Sequence, residues 1–467
     1  MATATHADDE RPIRGIGELV SVFQAAEKPP ERFRIGVEAE KFGVHAPTGA
    51  PISYEGERSV VRIFDALGRF GWLPERESED GPVLALRRDG ASITLEPGSQ
   101  LELSGAALDD LHAARAEFDA HLAELRPISD ELELAWLGVG FHPIARQEEL
   151  GWVPKQRYRV MKTYLPTRGY AAHDMMRRTA TVQANFDYAN ERDALRKLVV
   201  SLKLSPLIHA MTAHAPFRER RRTDHASLRG EVWLHMDPAR SGLIPALWSA
   251  KSPGYADYVE WALDAGMFLF KRGDEVIANT GQRFRDFMRD GFEGHRATLA
   301  DFRLHLNTLF PEARLKNTVE VRGCDAQRLE LSSSIPAIFT GFLYDERALA
   351  EAEELARPFD YETIEASRPA LVRDALRARI GDTPARALAE RLLDIARGGL
   401  DRRARRDERG RSESAYLEPL VALVERGECP ADQAAANVAV GAELPVQALV
   451  ERTSLLEPGV PSLPRES

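Results

Sequence analysis

Ile35-Gly36-Val37-Glu38-Ala39-Glu40 decides the fold. In an extended strand successive side chains point to opposite faces, so Ile35, Val37 and Ala39 lie on one side and Glu38 and Glu40 on the other. The same sorting returns in Ile93-Thr94-Leu95-Glu96, in Gln100-Leu101-Glu102-Leu103-Ser104, in Val182-Gln183-Ala184-Asn185-Phe186-Asp187 and in Thr318-Val319-Glu320-Val321-Arg322. Each segment has one apolar face and one face of carboxylates, amides or arginine. A solvent-facing sheet usually mixes Lys and Thr among its acids. Three of these segments offer mainly Glu, an arrangement that is costly unless cations neutralise it.

Between these strands the spacing predicts a helix over Tyr54–Phe70, with Val60, Ile63, Phe64 and Leu67 on one side. Arg88-Asp89-Gly90 is hairpin chemistry ahead of the Ile93 strand. A second helix carries Leu108, Leu111, Phe118, Leu122 and Leu125, and Leu132–Phe141 contains a short buried strand. Pro143–Gly169 is loop-rich and basic, with Lys155, Arg157, Arg159 and Lys162; facing acidic strands it can hold phosphate, or else it is solvated surface. Asn190 and Thr298 are N-caps of further helices. Arg229–Asp237 alternates in the manner of a strand, and Tyr255–Phe270 and Phe284–Met288 read as helical. After about residue 345 strand signals vanish and Ala/Arg/Glu/Leu-rich helical patterns take over. The fold class expected is α+β, an antiparallel sheet with helices packed on its apolar face, followed by a helical C-terminal segment. The expected organisation is a disordered tail over 1–12, a catalytic domain over 13–345, a helical segment over 346–456 packed on it, and a second tail over 457–467.

Length allows a large core, or two unequal ones. A net charge of -11 argues against a nucleic-acid-binding surface. Two cysteines, Cys324 and Cys429, cannot build a disulfide framework, and no apolar run approaches the ~20 residues of a membrane span. With no signal-peptide core near Met1, the setting expected is a reducing cytoplasm.

Glu38, Glu40, Glu96, Glu102 and Glu320, converging from different strands, have the make-up of a magnesium site, since magnesium takes oxygen ligands and keeps company with substrate phosphates. Arg322 shares the face of Glu320 and suits contact with a transferring phosphoryl group. Gln183 and Asn185 share a face and are candidates to orient an amino acid. Arg177, Arg178, Arg229 and Arg240 are candidates for carboxylate recognition. Strict alternation puts Arg178 off the Gln183 face, which leaves Arg177 or a bulge as alternatives. Other chemistries are excluded: there is no G-x-x-x-x-G-K-[ST], no H-E-x-x-H, no G-x-S-x-G and no cysteine pair at zinc spacing. His209, His214 and His225 form no recognisable ligand set. Cys324 is expected close to the site.

Five stretches together resemble the plant- and proteobacterial-type glutamate–cysteine ligases: IGVEAEKFG (35–43), ITLEPGSQLELSG (93–105), RTATVQANFDY (178–188), LRGEVWLHMDPARSG (228–242) and FPEARLKNTVEVRGCD (310–325). They span roughly residues 15–350. The resemblance implies a glutamine-synthetase-like catalytic sheet and the first step of glutathione synthesis, with glutamate, cysteine and ATP as small-molecule partners, two or three Mg²⁺ ions as cofactors, and a monomer or homodimer. It implies metal binding by the five glutamates, with Glu38 and Arg322 catalytic, and substrate binding by Arg178, Gln183, Asn185, Arg229, Trp233 and Arg240. Arg322 and Lys41 would bind ATP. Plant members carry a redox-active cysteine where this chain has Ser241, so their disulfide switch cannot operate here. A same-fold ligase using another amine, or a non-catalytic amino acid or nucleotide sensor, remain alternative readings of the same residues.

Overall fold

The computed structural model describes residues 10–249, 252–273 and 275–456. The expected tails lie outside these residues, apart from Glu10 to Pro12.

A nine-stranded antiparallel sheet forms the frame. Its strands are β1 (Ile35–His45), β2 (Leu73–Arg76), β3 (Val83–Arg88), β4 (Ala91–Leu95), β5 (Leu101–Ser104), β6 (Leu134–Leu137), β7 (Val182–Phe186), β8 (Ala313–Leu315) and β9 (Val319–Val321). The spatial order is β8-β9-β7-β1-β5-β4-β3-β2, with β6 paired to the far half of β1. Thus β1 is the central strand: its first half lies between β7 and β5, and its second half, from Phe42 to His45, turns away to β6. The β3–β4 turn is built as its sequence requires. Asp89 and Gly90 both have positive φ, 49° and 85°, the conformation that a two-residue hairpin matched to strand twist demands.

Alternation sorts the two faces. Ile35, Val182, Ala184, Phe186, Val319 and Val321 belong to one apolar core, and Ala39, Ile93, Leu95, Leu101 and Leu103 to a second. The helices Glu191–Met211 and Ser334–Leu343 contribute to the first core, and Leu111–Leu132 mainly to the second. Asn190 and Thr298 cap their helices as expected, accepting from Asp193 N at 3.1 Å and Asp301 N at 3.2 Å. Shorter helices, Gln156–Tyr164, Ala172–Arg178, Leu228–Leu234 and Leu299–Leu306, wall in the polar face instead.

Three expectations change. The stretch read as a basic loop over Pro143–Gly169 contains the helix Gln156–Tyr164. Leu228–Leu234 is a helix, not a strand. Ser227 Oγ caps it by accepting from Gly230 N at 2.9 Å, and Leu228 and Val232, four apart, supply its buried stripe. The helix read over Tyr255–Phe270 stops at Asp264, and Leu269–Arg272 is a strand of a separate hairpin.

Residues beyond 345 fold almost wholly as helices, and their apolar faces join the first core. The helix Ala385–Arg403 crosses Ser334–Leu343 so closely that a Cβ on Gly399 would overlap the Gly341 carbonyl. Fully buried Glu413 ties this segment to the sheet layer. It accepts from Leu111 N, at the start of the helix Leu111–Leu132, at 2.8 Å and pairs with Arg403 at 3.1 Å. Glu413→Ala removes a buried counter-charge and a helix-end acceptor, so it is expected to cost about 3 kcal/mol. A melting temperature several degrees below wild type, with unchanged far-UV circular dichroism at room temperature, is the outcome to check.

Candidate active site

Strand pairing assembles most of the polar face, and Glu96 and Arg322 follow directly on the ends of β4 and β9. Register places Glu38 between Gln183 on β7 and Ser104 on β5, and Glu40 opposite Glu102. Glu320 lies between Asn185 and Arg314. All five expected glutamates line one cleft over this face, together with Gln183, Arg229, Trp233 and Arg322. A second lobe, lined by Arg34, Asn185 and Thr318 among others, opens beside it, and Glu38, Ser104, Asn307 and Lys316 border both.

Short polar groups orient the carboxylates. Asn185 Nδ2 donates to Glu38 Oε1 at 2.8 Å, and Gln183 Nε2 to Glu40 Oε1 at 3.3 Å. Thr181 N donates to Glu40 Oε2 at 3.0 Å. Thr94 Oγ1 and Ser104 Oγ donate to Glu102 at 2.5 and 3.2 Å. Gln183 and Asn185, expected to meet an amino acid, therefore use their amides to aim carboxylates.

Charge is distributed unevenly over the face. Burial, then the neighbouring Glu320 and Glu102, pushes the Glu38 carboxyl up to about 7. Burial with Glu96 and Glu102 pushes Glu40 well above the usual carboxylate range. Glu320 behaves in the opposite way. Burial alone would raise it, but Arg314, Lys316 and Arg322 outweigh burial and hold it well below that range. Its Oε1 accepts from Arg314 Nη2 at 2.8 Å and Arg322 Nη1 at 2.6 Å. Its Oε2 accepts from Arg314 Nε at 2.9 Å and meets Lys316 Nζ at 3.0 Å. A carboxylate has about four lone-pair sites, so Glu320 is saturated by protein cations. Arg322 also donates to Gln183 Oε1 at 2.6 Å, which links the cationic corner to the amide row.

Arg314 and Lys316 were missed by the sequence reading. Their signal was present: Arg314, Lys316, Glu320 and Arg322 stand at even positions along one β-hairpin, but only its second strand was read as extended. The basic loop is resolved into its parts. Lys155 Nζ and Tyr158 OH donate to Leu95 O at 2.8 and 2.7 Å, and Arg157 borders the cleft, whereas Arg159 and Lys162 do not line it.

Four expected residues, Arg177, Arg178, Arg240 and Lys41, are not brought to the site. Arg178 ends the helix Ala172–Arg178, stacks on Phe141 at 4.5 Å and pairs with Glu219 and Asp174. Its alternative, Arg177, donates to Leu150 O and stacks on Trp152. Met175, Met176 and Thr179 line the cleft in their place. Arg240 is 1% exposed and fully engaged behind the wall, by Asp237, Thr308 O and Gly266 O, with Phe268 against its face. Lys41 lies on the apolar face by alternation; it is fully buried, within reach only of the Ala39 and Leu101 carbonyls at 3.3 and 3.4 Å. Burial drives its amine down to about 7.

Arg229 and Trp233 do reach the cleft, because a helix sets residues four apart on one stripe. The Arg229 guanidinium lies 5.7 Å from the Trp233 ring and donates to the Arg322 and Gly323 carbonyls at 2.8 and 3.0 Å. The Trp233 indole N–H is buried without a partner among the described residues.

Among the described residues no three acidic, His or Cys side chains already stand in metal-ligand geometry. The donor set nevertheless fits a hard divalent cation: Glu38, Glu40, Glu96 and Glu102 are oxygen donors, and Glu38 and Glu40 stay raised although Lys316 acts on the first and Arg229 and Arg322 on the second.

An antiparallel sheet presenting carboxylates and a fixed arginine to a walled cleft defines an enzyme of the ligase class that works on small molecules. A model of glutamate–cysteine ligase family 2 matches residues 34–448, and the chain belongs to that family. Glutamate–cysteine ligase A, chloroplastic, of Oryza sativa subsp. indica is 36% identical over 419 residues, covering 89% of this chain and 83% of that protein. The chloroplastic glutamate–cysteine ligase of Arabidopsis thaliana is 33% identical over 420 residues, covering 89% and 78%. In structure, the glutamate–cysteine ligase of Francisella tularensis in complex with AMP superposes with a TM-score of 0.52 at 12% identity, covering 91% of this chain and 88% of that one, which shows a shared fold.

The cytoplasmic expectation is overturned by these relatives, which are chloroplastic by name.

The acid face predicts a pH effect on the metal-free protein. Glu38 and Glu40 bind protons more tightly folded than unfolded, so stability falls as pH rises from 4.5 toward about 7. Glu38 alone accounts for about 3 kcal/mol of that loss. The melting temperature of metal-free wild type should drop across this window more steeply than that of the Glu38→Gln/Glu40→Gln double variant. Magnesium added at neutral pH should raise the wild type more than the variant.

Proposed function

We propose that this chain joins the γ-carboxylate of L-glutamate to the amine of L-cysteine at the expense of ATP, giving γ-glutamylcysteine, ADP and phosphate, the first step of glutathione biosynthesis. The single observation that carries this reading is the cleft face itself. Glu38, Glu40, Glu96 and Glu102 converge beside Arg322, whose side chain is held by the saturated Glu320. Family membership supplies the choice of substrates.

The chemistry follows from that face. A γ-carboxylate oxygen of glutamate attacks the γ-phosphorus of ATP, the bond to the β–γ bridging oxygen breaks, and ADP leaves. The acyl phosphate so formed has an activated carbonyl. The amine of cysteine attacks it, loses a proton, and phosphate departs. No protein nucleophile takes part. Glu38, Glu40, Glu96 and Glu102 would hold two or three magnesium ions, which when bound neutralise the phosphate oxygens. Arg322 adds a preorganised positive charge where the phosphoryl group moves. Because Glu38 and Lys316 border both lobes, phosphoryl transfer belongs at their junction, with nucleotide and amino acids entering from opposite sides. Arg229 and Trp233 would contact amino acid. Residues 13–345 carry these groups as the catalytic unit, and 346–456 pack against it.

The test is ADP release by the purified protein with ATP, Mg²⁺ and glutamate, adding candidate amines in turn and weighing the product. Cysteine-dependent turnover with a γ-glutamylcysteine mass is expected; turnover only with another amine would refute the acceptor, and none with any amine would refute catalysis. Glu38→Gln is expected to keep its fold yet lose roughly a thousandfold or more in rate, several kcal/mol of transition-state stabilisation. Glu320→Gln differs, because three cations lose their counter-charge, and it should lose stability as well as activity.

Both cysteines are buried, and burial pushes the Cys324 thiol up to about 12 and the Cys429 thiol higher still. With Ser241 at the third position, dithiothreitol should leave activity unchanged. A reversible loss on reduction, read in the same ADP assay, would contradict this.

A further inference from the structure

Arg322 is held through its backbone as well as its side chain. Its N–H donates to Glu312 O at 2.9 Å, and the next carbonyl, of Gly323, accepts from His209 Nδ1 at 2.6 Å and Arg229 Nη1 at 3.0 Å. The Glu312 carboxylate lies against Gly323, in the space that a Cβ there would need. A side chain at 323 would have to displace the Glu312 carboxylate that packs on this backbone. The question is what holds that carboxylate.

The holder is Arg368, on the helix Tyr361–Asp374 of the C-terminal segment. Arg368 is 7% exposed; its Nη2 meets Glu312 Oε1 at 2.9 Å and its Nη1 meets Glu365 at 3.1 Å. Such a pair is directional, because guanidinium and carboxylate must keep their mutual geometry to offset desolvation. The same helix reaches a second part of the site. Its Val372 and Arg373 carbonyls accept from Ser227 N and Ala226 N, each at 3.0 Å, immediately before the helix that presents Arg229 and Trp233. One C-terminal helix therefore braces both the Arg322–Gly323 turn and the Arg229 helix.

We infer that Arg368 and Glu312 are positioning residues for the ligase reaction, through which the C-terminal helix Tyr361–Asp374 fixes Arg322 over the cleft. Neither side chain lines the cleft, so neither contacts substrate. The inference rests on the ligase reading for its kinetic effect. Its structural effect is independent of that reading.

Arg368→Gln, Glu312→Gln and the double variant test it. In each, kcat with ATP, glutamate and cysteine should fall about tenfold or more, within the ~10²-fold that a 1 Å displacement far from the chemistry can cost. KM for ATP should stay unchanged. The double variant should be no worse than the worse single one, because the two residues act as one clamp. Hydrogen exchange of the peptide 319–327 should accelerate in all three variants, while that of 101–104 stays as in wild type. Wild-type kcat with unchanged exchange in folded Arg368→Gln overturns the proposal, as does an additive double variant. Exchange that responds as expected in a protein without cysteine-dependent turnover would sink the ligase reading and leave the clamp standing.

Discussion

Everything in the cleft depends on one electrostatic constraint: five carboxylates share the polar face of a sheet whose other face is core. Like charges at strand-pair distance repel, and burial removes the water that would screen them. The protein resolves this locally for one carboxylate and leaves it unresolved for the others. Glu320 receives Arg314, Lys316 and Arg322 and is held ionised. Glu38 and Glu40 receive amides and a backbone N–H, which aim them but do not cancel their charge. The face is consequently split into a finished corner and an unfinished one, and only the unfinished one has a use for external cations. Lys316 acts on Glu38, and Arg229 and Arg322 on Glu40, but burial and the neighbouring acids outweigh them, whereas around Glu320 the cations win.

The frame and the carboxylates were legible in the sequence because strand alternation is a two-residue rule. Once Ile35, Val37 and Ala39 are assigned to a core, Glu38 and Glu40 have one place to point. The hairpin at Asp89-Gly90 and the caps at Asn190 and Thr298 were legible for a similar reason, since each is decided by chemistry within three or four residues. Arg229–Asp237 failed because the seven residues of its helix satisfy period two and period 3.6 about equally. Ser227 then decided for helix, and with it the pairing of Arg229 and Trp233 on one stripe.

The arginines were not legible, for a different reason. A guanidinium sits at the end of a long chain, and what it meets is set by elements distant in sequence. Arg178 stacks on Phe141 and meets Glu219; Arg240 meets Gly266 and Thr308. Arg314 differs, because it meets Glu320 inside one hairpin, where alternation along both strands places the two together. Lys41 shows a further limit. Alternation from Ile35, Val37 and Ala39 puts it on the apolar face, against the ATP contact that the family resemblance implies. The strand rule was the better guide, since the main chain, not the side chain, decides which face a residue joins.

This contrast bears on how the C-terminal segment relates to the site. It carries none of the signature strands, and its helices look interchangeable by composition. Yet Glu413 supplies an acceptor to the helix under β1, and Arg368 supplies a counter-charge to Glu312 beside Arg322. Both are single charged side chains that reach from a helical layer into contacts made by strands and turns. A sheet can register its own carboxylates through pairing, but where β9 ends, at Arg322–Gly323, ladder pairing gives way to single bonds such as Arg322 N to Glu312 O. The Arg322–Gly323 turn therefore borrows rigidity from outside the sheet. The helical segment is thereby a second frame, needed where strand pairing ends.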